Sequence, residues 1–306
     1  MEVSLLKETQ IFHSGFITII GRTNVGKSTL LNRILQQKVA IMSDKPQTTR
    51  NKIIGVYHGD HAQIVFIDTP GFHKPKYRLN EFMIKTAIKT LEGVDVIVYL
   101  VEPEKTIGSG DRSIINLLQP VKTPVVLAIN KIDLVQKEQL LPVIDAYSQA
   151  FPFAEIIPIS ALGNKNIDHA LGTLLSYLPE GPQYYPEDMV TDQPERFLAA
   201  ELIREKVLLS TREEIPYSIA VVIEQMKIRE EKAIIDIDAT IYVERPSQKG
   251  ILIGKSGAML KRIGALARKE IETLLGSQVF LTLWVKVRKN WRMDEHDLRM
   301  FGYDQS

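Results

Sequence analysis

The sequence predicts an α/β domain with a mixed, mostly parallel sheet, followed by a smaller α+β domain, and three observations carry that reading. Apolar runs alternate with helical patterns from Phe16 to about Leu178, the alternation that builds a parallel sheet covered by helices. Prolines at 179, 182, 186 and 194, with polar residues between them, then interrupt the pattern as a stiff linker does. Finally, 306 residues is long for one core, because domains hold roughly 150 residues each.

In order, the expected strands of the first domain are 16–20, 53–57, 63–67, 94–101, 124–129 and 156–159. Gly59-Asp60 lies between two of them as a tight-hairpin signal, so one edge strand is expected to run antiparallel. The first domain is placed at 10–180, the linker at 181–194 and the second domain at 195–306. There the pattern gives a helix at 195–209, strands at 218–228 and 233–243, a helix around 259–275 and a strand at 279–287.

Composition excludes several classes. The chain has no cysteine, which removes structural disulfides, cysteine-based zinc sites and thiol catalysis. Its six histidines show no metal-ligand spacing. The start, Met1-Glu-Val-Ser-Leu-Leu-Lys-Glu, mixes charges, and no apolar run approaches the roughly 18 residues of a membrane span, so a cytoplasmic protein is expected. The formal net charge of +1 conceals an asymmetry: between Pro246 and Arg292 ten Lys or Arg face two acids, a local +8 that leaves −7 for the remainder. Such a basic segment is the footprint of a polyanion site, or else a solvated basic face.

Immediately after the first strand comes Gly21-Arg-Thr-Asn-Val-Gly26-Lys27-Ser28, and a helical pattern follows. This is the P-loop spacing, in which glycines let backbone N–H groups wrap phosphate oxygens at a helix N-terminus. Asn24, Val25 and Thr29 complete the loop and its exit. Lys27 would reach the β- and γ-phosphates and Ser28 would place its hydroxyl on Mg²⁺. At the end of a buried strand, Asp68-Thr-Pro-Gly71 supplies a carboxylate for the same Mg²⁺, and the Gly71 N–H could meet the γ-phosphate.

A third strand closes with Asn130-Lys131-Ile-Asp133. The Asp133 carboxylate can accept from guanine N1–H and its exocyclic amine, whereas adenine would leave that acceptor unpaired, a loss of about 1–3 kcal/mol or more. Asn130 would bond the purine edge, Lys131 would lie along the base, and Ser160-Ala161-Leu162 would present backbone N–H groups to guanine O6.

Four motifs in this order resemble the translation-factor-related GTPases. Asp44-Lys-Pro-Gln-Thr48-Thr49-Arg50 further resembles the first switch of the Era GTPase family, and the C-terminal unit resembles that family's type II KH domain. The resemblance runs from about Phe16 to Trp291. It implies that Thr49, with Thr48 as runner-up, closes on Mg²⁺ and the γ-phosphate, so that Ser28, Thr49 and Asp68 form the metal set and Lys27, Thr49 and Gly71 act in the reaction. It implies a potassium ion held beside the phosphates by Asn24. It implies binding of small-subunit ribosomal RNA near its 3′ end, a role in small-subunit assembly, peripheral contact with the inner face of the cell membrane, and a monomer. Phe72 stands where many regulatory GTPases carry a water-orienting glutamine, so slow turnover is expected.

Ile251-Leu-Ile-Gly254-Lys255-Ser256-Gly257 carries a Gly-x-x-Gly loop ahead of an amphipathic pattern with Leu260, Ile263, Leu266, Ala267 and Ile271 inward. KH domains clamp about four nucleotides with such a loop, and Lys261, Arg262, Arg268 and Lys269 would neutralise phosphate. In the last strand Lys286, Arg288 and Lys289 are further RNA candidates, and Trp284 is expected to pack beneath a helix in preference to stacking on a base. Two other functions stay open at this stage: an RNA-binding module whose nucleotide sensor barely turns over, and a membrane-linked signalling GTPase whose basic segment meets anionic lipid.

Overall fold

The structure, a computed structural model, describes residues 11–72, 75–229 and 233–303. The amino-terminal segment read above for targeting signals lies outside the described residues.

The first sheet contains β1 (His13–Gly21), β2 (Ile53–Gly59), β3 (Ala62–Asp68), β4 (Val96–Val101), β5 (Val125–Ile129) and β6 (Glu155–Pro158). Their order is β2-β3-β1-β4-β5-β6, with β2 antiparallel to β3 and the other pairs parallel. The hairpin turn is Asp60-His61, because Gly59 pairs with Ala62, one residue later than the sequence suggested. All six residues of β4 are buried, as a continuous apolar run covered on both faces must be. Helices α1 (Lys27–Leu35) and α5 (Ile167–Ser176) cover one face through Leu31 and Leu174. Of the others, α2 (Arg78–Lys89), α3 (Ser109–Leu118) and α4 (Lys137–Ala150), the last two cover the opposite face through Ile114 and Tyr147.

The proline-rich stretch is a docked strap rather than a bare spacer. Val56 N donates to Val190 O at 2.8 Å, Thr191 Oγ1 donates to Ile54 O at 2.6 Å, and the Gln63 amide meets the backbone of Tyr184 and Tyr185. The exposed edge of β2 offers unpaired backbone groups, and the strap satisfies them.

The second domain follows the type II KH order: α6 (Glu195–Ser210), β7 (Ala220–Arg229), β8 (Ile234–Val243), α7 (Pro246–Ile253), α8 (Ala258–Leu275) and β9 (Gln278–Val287). Its sheet runs β7-β8-β9, antiparallel then parallel. Ile203 and Val207 of α6, Ile237 and Ile241 of β8, and Ile263, Ala267 and Ile271 of α8 form its core. Leu266 does not join them and is 44% exposed. Trp284 is 59% exposed, contrary to the expectation that it packs beneath a helix. The odd-numbered residues of β9 take the helix-facing side, with Val279 and Val285 in the core, and alternation turns Phe280 and Trp284 to the other face.

After β9 the chain turns through Trp291 into α9 (Glu295–Met300) and packs back against the first domain. Leu79, Phe82 and Met83 of α2 share one apolar cluster with Ala220, Trp291, Leu298, Phe301 and Tyr303. The Trp291 ring is fully buried and its Nε1 donates to Ser218 O at 2.9 Å. Replacing Trp291 by alanine empties this junction and is expected to cost about 3–5 kcal/mol, read as a lower urea midpoint for the carboxyl-terminal unit.

Candidate nucleotide site and nucleic-acid face

Parallel pairing brings the phosphate motifs together. Ile19 of β1 pairs with Asp68 of β3, so the carboxylate at the end of one strand lies beside the loop that leaves the other. The loop turns into α1 at Gly26, whose φ of 105° suits glycine. A Cβ there would also collide with Asn130 Nδ2.

Lys27 is buried and its Nζ donates to Arg22 O at 2.8 Å and Gly21 O at 3.3 Å, so the ammonium already curls over the loop. Burial pulls the Lys27 ammonium down to about 8, while the Asp68 charge works in the opposite direction. Ser28 Oγ donates to Asp68 Oδ2 at 2.6 Å, Thr49 Oγ1 lies 3.3 Å from the same oxygen, and the two hydroxyls are 2.9 Å apart. Thr48 instead donates to Lys45 O at 2.6 Å, so of the two threonines it is Thr49 whose hydroxyl reaches Asp68.

Asp68 is fully buried, and burial pushes its carboxyl up against the opposing pull of Lys27 and the two hydroxyls. Its Oδ1 has no partner among the described residues. A carboxylate and two hydroxyls converging around an orphaned oxygen fit a hard, oxygen-seeking cation such as Mg²⁺. The described residues hold no cluster of three His, Cys, Asp or Glu suited to another metal.

The cleft above these groups encloses about 430 Å³ and is lined by Asn24, Gly26, Thr29, Gly71, Lys131 and Leu162 among others, a volume within the ordinary range for a bound small molecule. Gly71 is held close: a Cβ there would lie 2.7 Å from the Thr23 backbone. Phe72 points elsewhere, its N–H donating to Gly21 O at 3.1 Å and its ring meeting the core beneath β4 and β5.

At the base end the structure adds protein partners to two sets of expected contacts. Asn130 is buried, and its Nδ2 donates to Val25 O at 2.8 Å while its Oδ1 accepts from Ala161 N at 2.9 Å. It braces the phosphate loop against the Ser160 loop. Of the backbone N–H groups expected to meet O6, that of Ser160 is donated to Lys165 O and that of Ala161 to Asn130. A purine O6 must therefore share the Ala161 N–H or turn to that of Leu162. Lys131 Nζ donates to Asn24 O at 2.8 Å and pairs with Glu102, which carries its stem across the cleft. The Ser160 hydroxyl donates to Asp133 Oδ1 and holds that carboxyl below the usual carboxylate range, leaving an ionised acceptor at the rim.

In the second domain Gly254 and Gly257 have φ of 71° and 80°, so the loop between α7 and α8 takes a shape that favours glycine. A Cβ on Gly254 would lie 2.8 Å from Met259 Cβ. Lys255, Ser256, Lys261, Arg262, Arg268 and Lys269 are all exposed around that loop and along α8. Lys286 and Arg288 are not part of this face. Strand alternation turns them to the side of β9 away from α8, and Arg288 is bound to the buried Asp297 of the tail at 2.7–2.9 Å.

Sequence reasoning missed the residues that join the domains. Arg50 is 1% exposed and Arg204 and Glu205 of α6 are equally hidden. Nothing in a polar loop or a helical stretch marks a charge for burial, since the burying surface belongs to the other domain.

The phosphate loop, the strand-end carboxylate and the Asn-Lys-x-Asp turn around one cleft define a P-loop GTPase, here joined to a KH domain. Comparison with known proteins agrees on both halves: residues 16–131 match the 50S ribosome-binding GTPase family and residues 214–292 match the KH domain. The whole chain is similar to the crystal structure of Era in complex with MgGDPNP and nucleotides 1506–1542 of 16S ribosomal RNA, with 44% identity and a TM-score of 0.93 over 95% of this chain and 99% of that one. It is similar to Aquifex aeolicus Era, as a tyrosine-to-alanine variant bound to GDP·AlF₄⁻, with 44% identity, a TM-score of 0.92 and the same coverage. The chain belongs to the Era family of GTPases.

Because Asn130 satisfies two buried backbone groups at once, Asn130→Ala is expected to destabilise the nucleotide-free protein by about 1–3 kcal/mol. Thermal unfolding without nucleotide measures this directly.

Proposed function

We propose that this protein binds and hydrolyses GTP and, in its GTP-bound form, holds the 3′ region of small-subunit ribosomal RNA through its KH loop during assembly of the small subunit. The observation that carries this is continuity. One fold at 44% identity spans both the nucleotide cleft and the Gly-x-x-Gly loop of an Era captured with a GTP analogue and 16S RNA.

The residues divide the work. The phosphate loop and Lys27 hold and neutralise the phosphates, while Asp133 selects guanine by accepting from its N1–H and amine. Ser28, Thr49 and Asp68 would hold Mg²⁺. When bound there, Mg²⁺ neutralises charge that develops on the phosphate oxygens. Gly71 brings a backbone N–H to the cleft, and Phe72 offers no atom to orient water, so turnover rests on positioning and is slow. Potassium belongs to the same proposal through Asn24, which sits at φ 66° in the loop and donates to Asp44 O at 2.6 Å.

Both segments that would sense the γ-phosphate, residues 44–50 and α2, touch the KH domain or its tail, which supports a GTP-gated RNA site. We place the protein in the cytoplasm as a monomer. Peripheral membrane contact is part of the family-level proposal and is supported by the exposed basic face of α8. No helix of the described residues is long and apolar enough to cross a membrane.

Two measurements test this. A short RNA matching the 3′ end of small-subunit ribosomal RNA is expected to bind at least tenfold tighter with a non-hydrolysable GTP analogue than with GDP, which is about 1.4 kcal/mol of coupling. Equal binding would remove the gate. Asp133→Asn replaces an acceptor of two hydrogen bonds by an amide that must donate, so guanine nucleotide affinity should fall by two orders of magnitude or more, about 3 kcal/mol. Xanthine nucleotides, with a carbonyl in place of the amine, should bind the variant better than guanine nucleotides do.

A further inference from the structure

Arg50 follows Thr49 by one peptide bond, yet its side chain is anchored in the other domain. Nη1 donates to Ile219 O at 2.6 Å and to the Tyr303 hydroxyl at 3.1 Å. Nη2 lies 3.3 Å from both Pro216 O and Tyr217 O. The guanidinium carbon sits 5.8 Å from the ring centres of Trp291 and of Tyr303. No carboxylate pairs with this guanidinium among the described residues; carbonyl oxygens and aromatic faces take that place.

Two further attachments hold the same segment. Arg204 donates to Thr48 O while pairing with Glu201, and Glu205 accepts from Met42 N at 2.8 Å while pairing with Lys38 and Lys206. The backbone from Met42 to Arg50 is therefore fixed at three points to α6 and to the carboxyl-terminal tail. Between the second and third points lies Thr49, whose hydroxyl reaches Ser28 and Asp68.

We propose that Arg50 is a positioning residue for GTP hydrolysis: seated in a socket built by Ile219, Trp291 and Tyr303 of the KH unit and its tail, it holds Thr49 at the metal set. The inference rests on the reading of the cleft as a GTP site, and it gives the tail after β9 a task. The socket sets the position of a group that needs the γ-phosphate state and leaves the guanine and β-phosphate contacts untouched. Its loss must therefore separate GTP from GDP. A burial role alone would weaken both nucleotides together or neither.

The full chain carrying Arg50→Met, which keeps the stem and removes the fork and charge, is compared with wild type. Displacing a positioning group by about 1 Å can cost as much as 10²-fold. We expect affinity for the Mg²⁺-bound GTP analogue and kcat each to fall about tenfold, with GDP affinity within about twofold of wild type. Amide exchange over residues 44–50 should quicken in the analogue complex. Arg50→Lys should behave like Arg50→Met, because an ammonium cannot reproduce the planar fork. A folded Arg50→Met protein with wild-type analogue affinity, kcat and exchange would overturn the proposal.

Should Arg50→Met fail to fold, Tyr303→Phe removes a single hydroxyl from the socket. A fall of about two- to threefold in analogue affinity with unchanged GDP affinity then supports the proposal, on the scale of one weak hydrogen bond. No change overturns it. The RNA gate is scored separately on wild type: equal RNA binding with the analogue and GDP would sink the GTP-gated reading, whereas the nucleotide measurements alone decide Arg50.

Discussion

The buried carboxylate of Asp68 is the constraint around which the nucleotide domain is arranged. A carboxylate in a dry interior is costly unless it is paired or hydrogen-bonded. Here the relief comes from Ser28 and the nearby Lys27, which open α1, and from Thr49 on the loop before β2. Lys27 carries a cost of its own, for it is buried too. The site is therefore a set of mutually dependent desolvated charges with one orphaned oxygen. A phosphate and a divalent cation supply the missing partners, which is why binding can organise the surrounding loops instead of merely filling a cleft.

The same economy recurs between the domains. Residues 202 to 208 of α6 are buried on every side, including Arg204, Glu205 and Lys206, because the helix lies between its own sheet and the first domain. Its charges are paired across the junction: Lys38 of the first domain meets Glu205 and Glu270 of the second, and Lys206 meets the same two acids. Removing a partner of the buried Glu205 or Lys206 leaves a charge uncompensated, so these ion pairs hold the contact together. A junction of apolar surface alone would slide; one that fixes buried charges selects a single relative placement of the parts that bear Thr49 and the KH loop.

The legibility of the sequence follows from where its information is local. Both domains, the antiparallel edge and the phosphate and base motifs could be read, because strand alternation, glycine spacing and strand-end carboxylates are short-range signals. Trp284 could not: alternation along β9 separates two faces, but which face meets the helices is decided by α6 and α8. Leu266 went wrong for a similar reason, since it lies on the flank of α8 at an angle the core does not reach. The ion pair that Arg288 makes was not legible because its partner, Asp297, lies beyond a turn. Arg50 was legible only as part of a polar switch motif; its socket is assembled from residues some 170 and 250 positions away.

Phe72 connects these points. With a phenyl ring turned into the core where a water-orienting amide would otherwise stand, no mobile side chain at that position can be switched in to accelerate the reaction. On the proposed reading the reaction then rests on the placement of fixed groups: Lys27, the Gly71 backbone and the hydroxyl of Thr49. Transition-state stabilisation by fixed groups depends on how little they must reorganise; Lys27 opens a helix, whereas Gly71 and Thr49 are carried by loops. The rigidity of the Thr49 loop comes from Arg50, Arg204 and Glu205, whose partners belong to the RNA-binding half or its tail. A protein built this way hydrolyses at a rate set partly by its own second domain, so whatever moves the KH unit also reaches the chemistry.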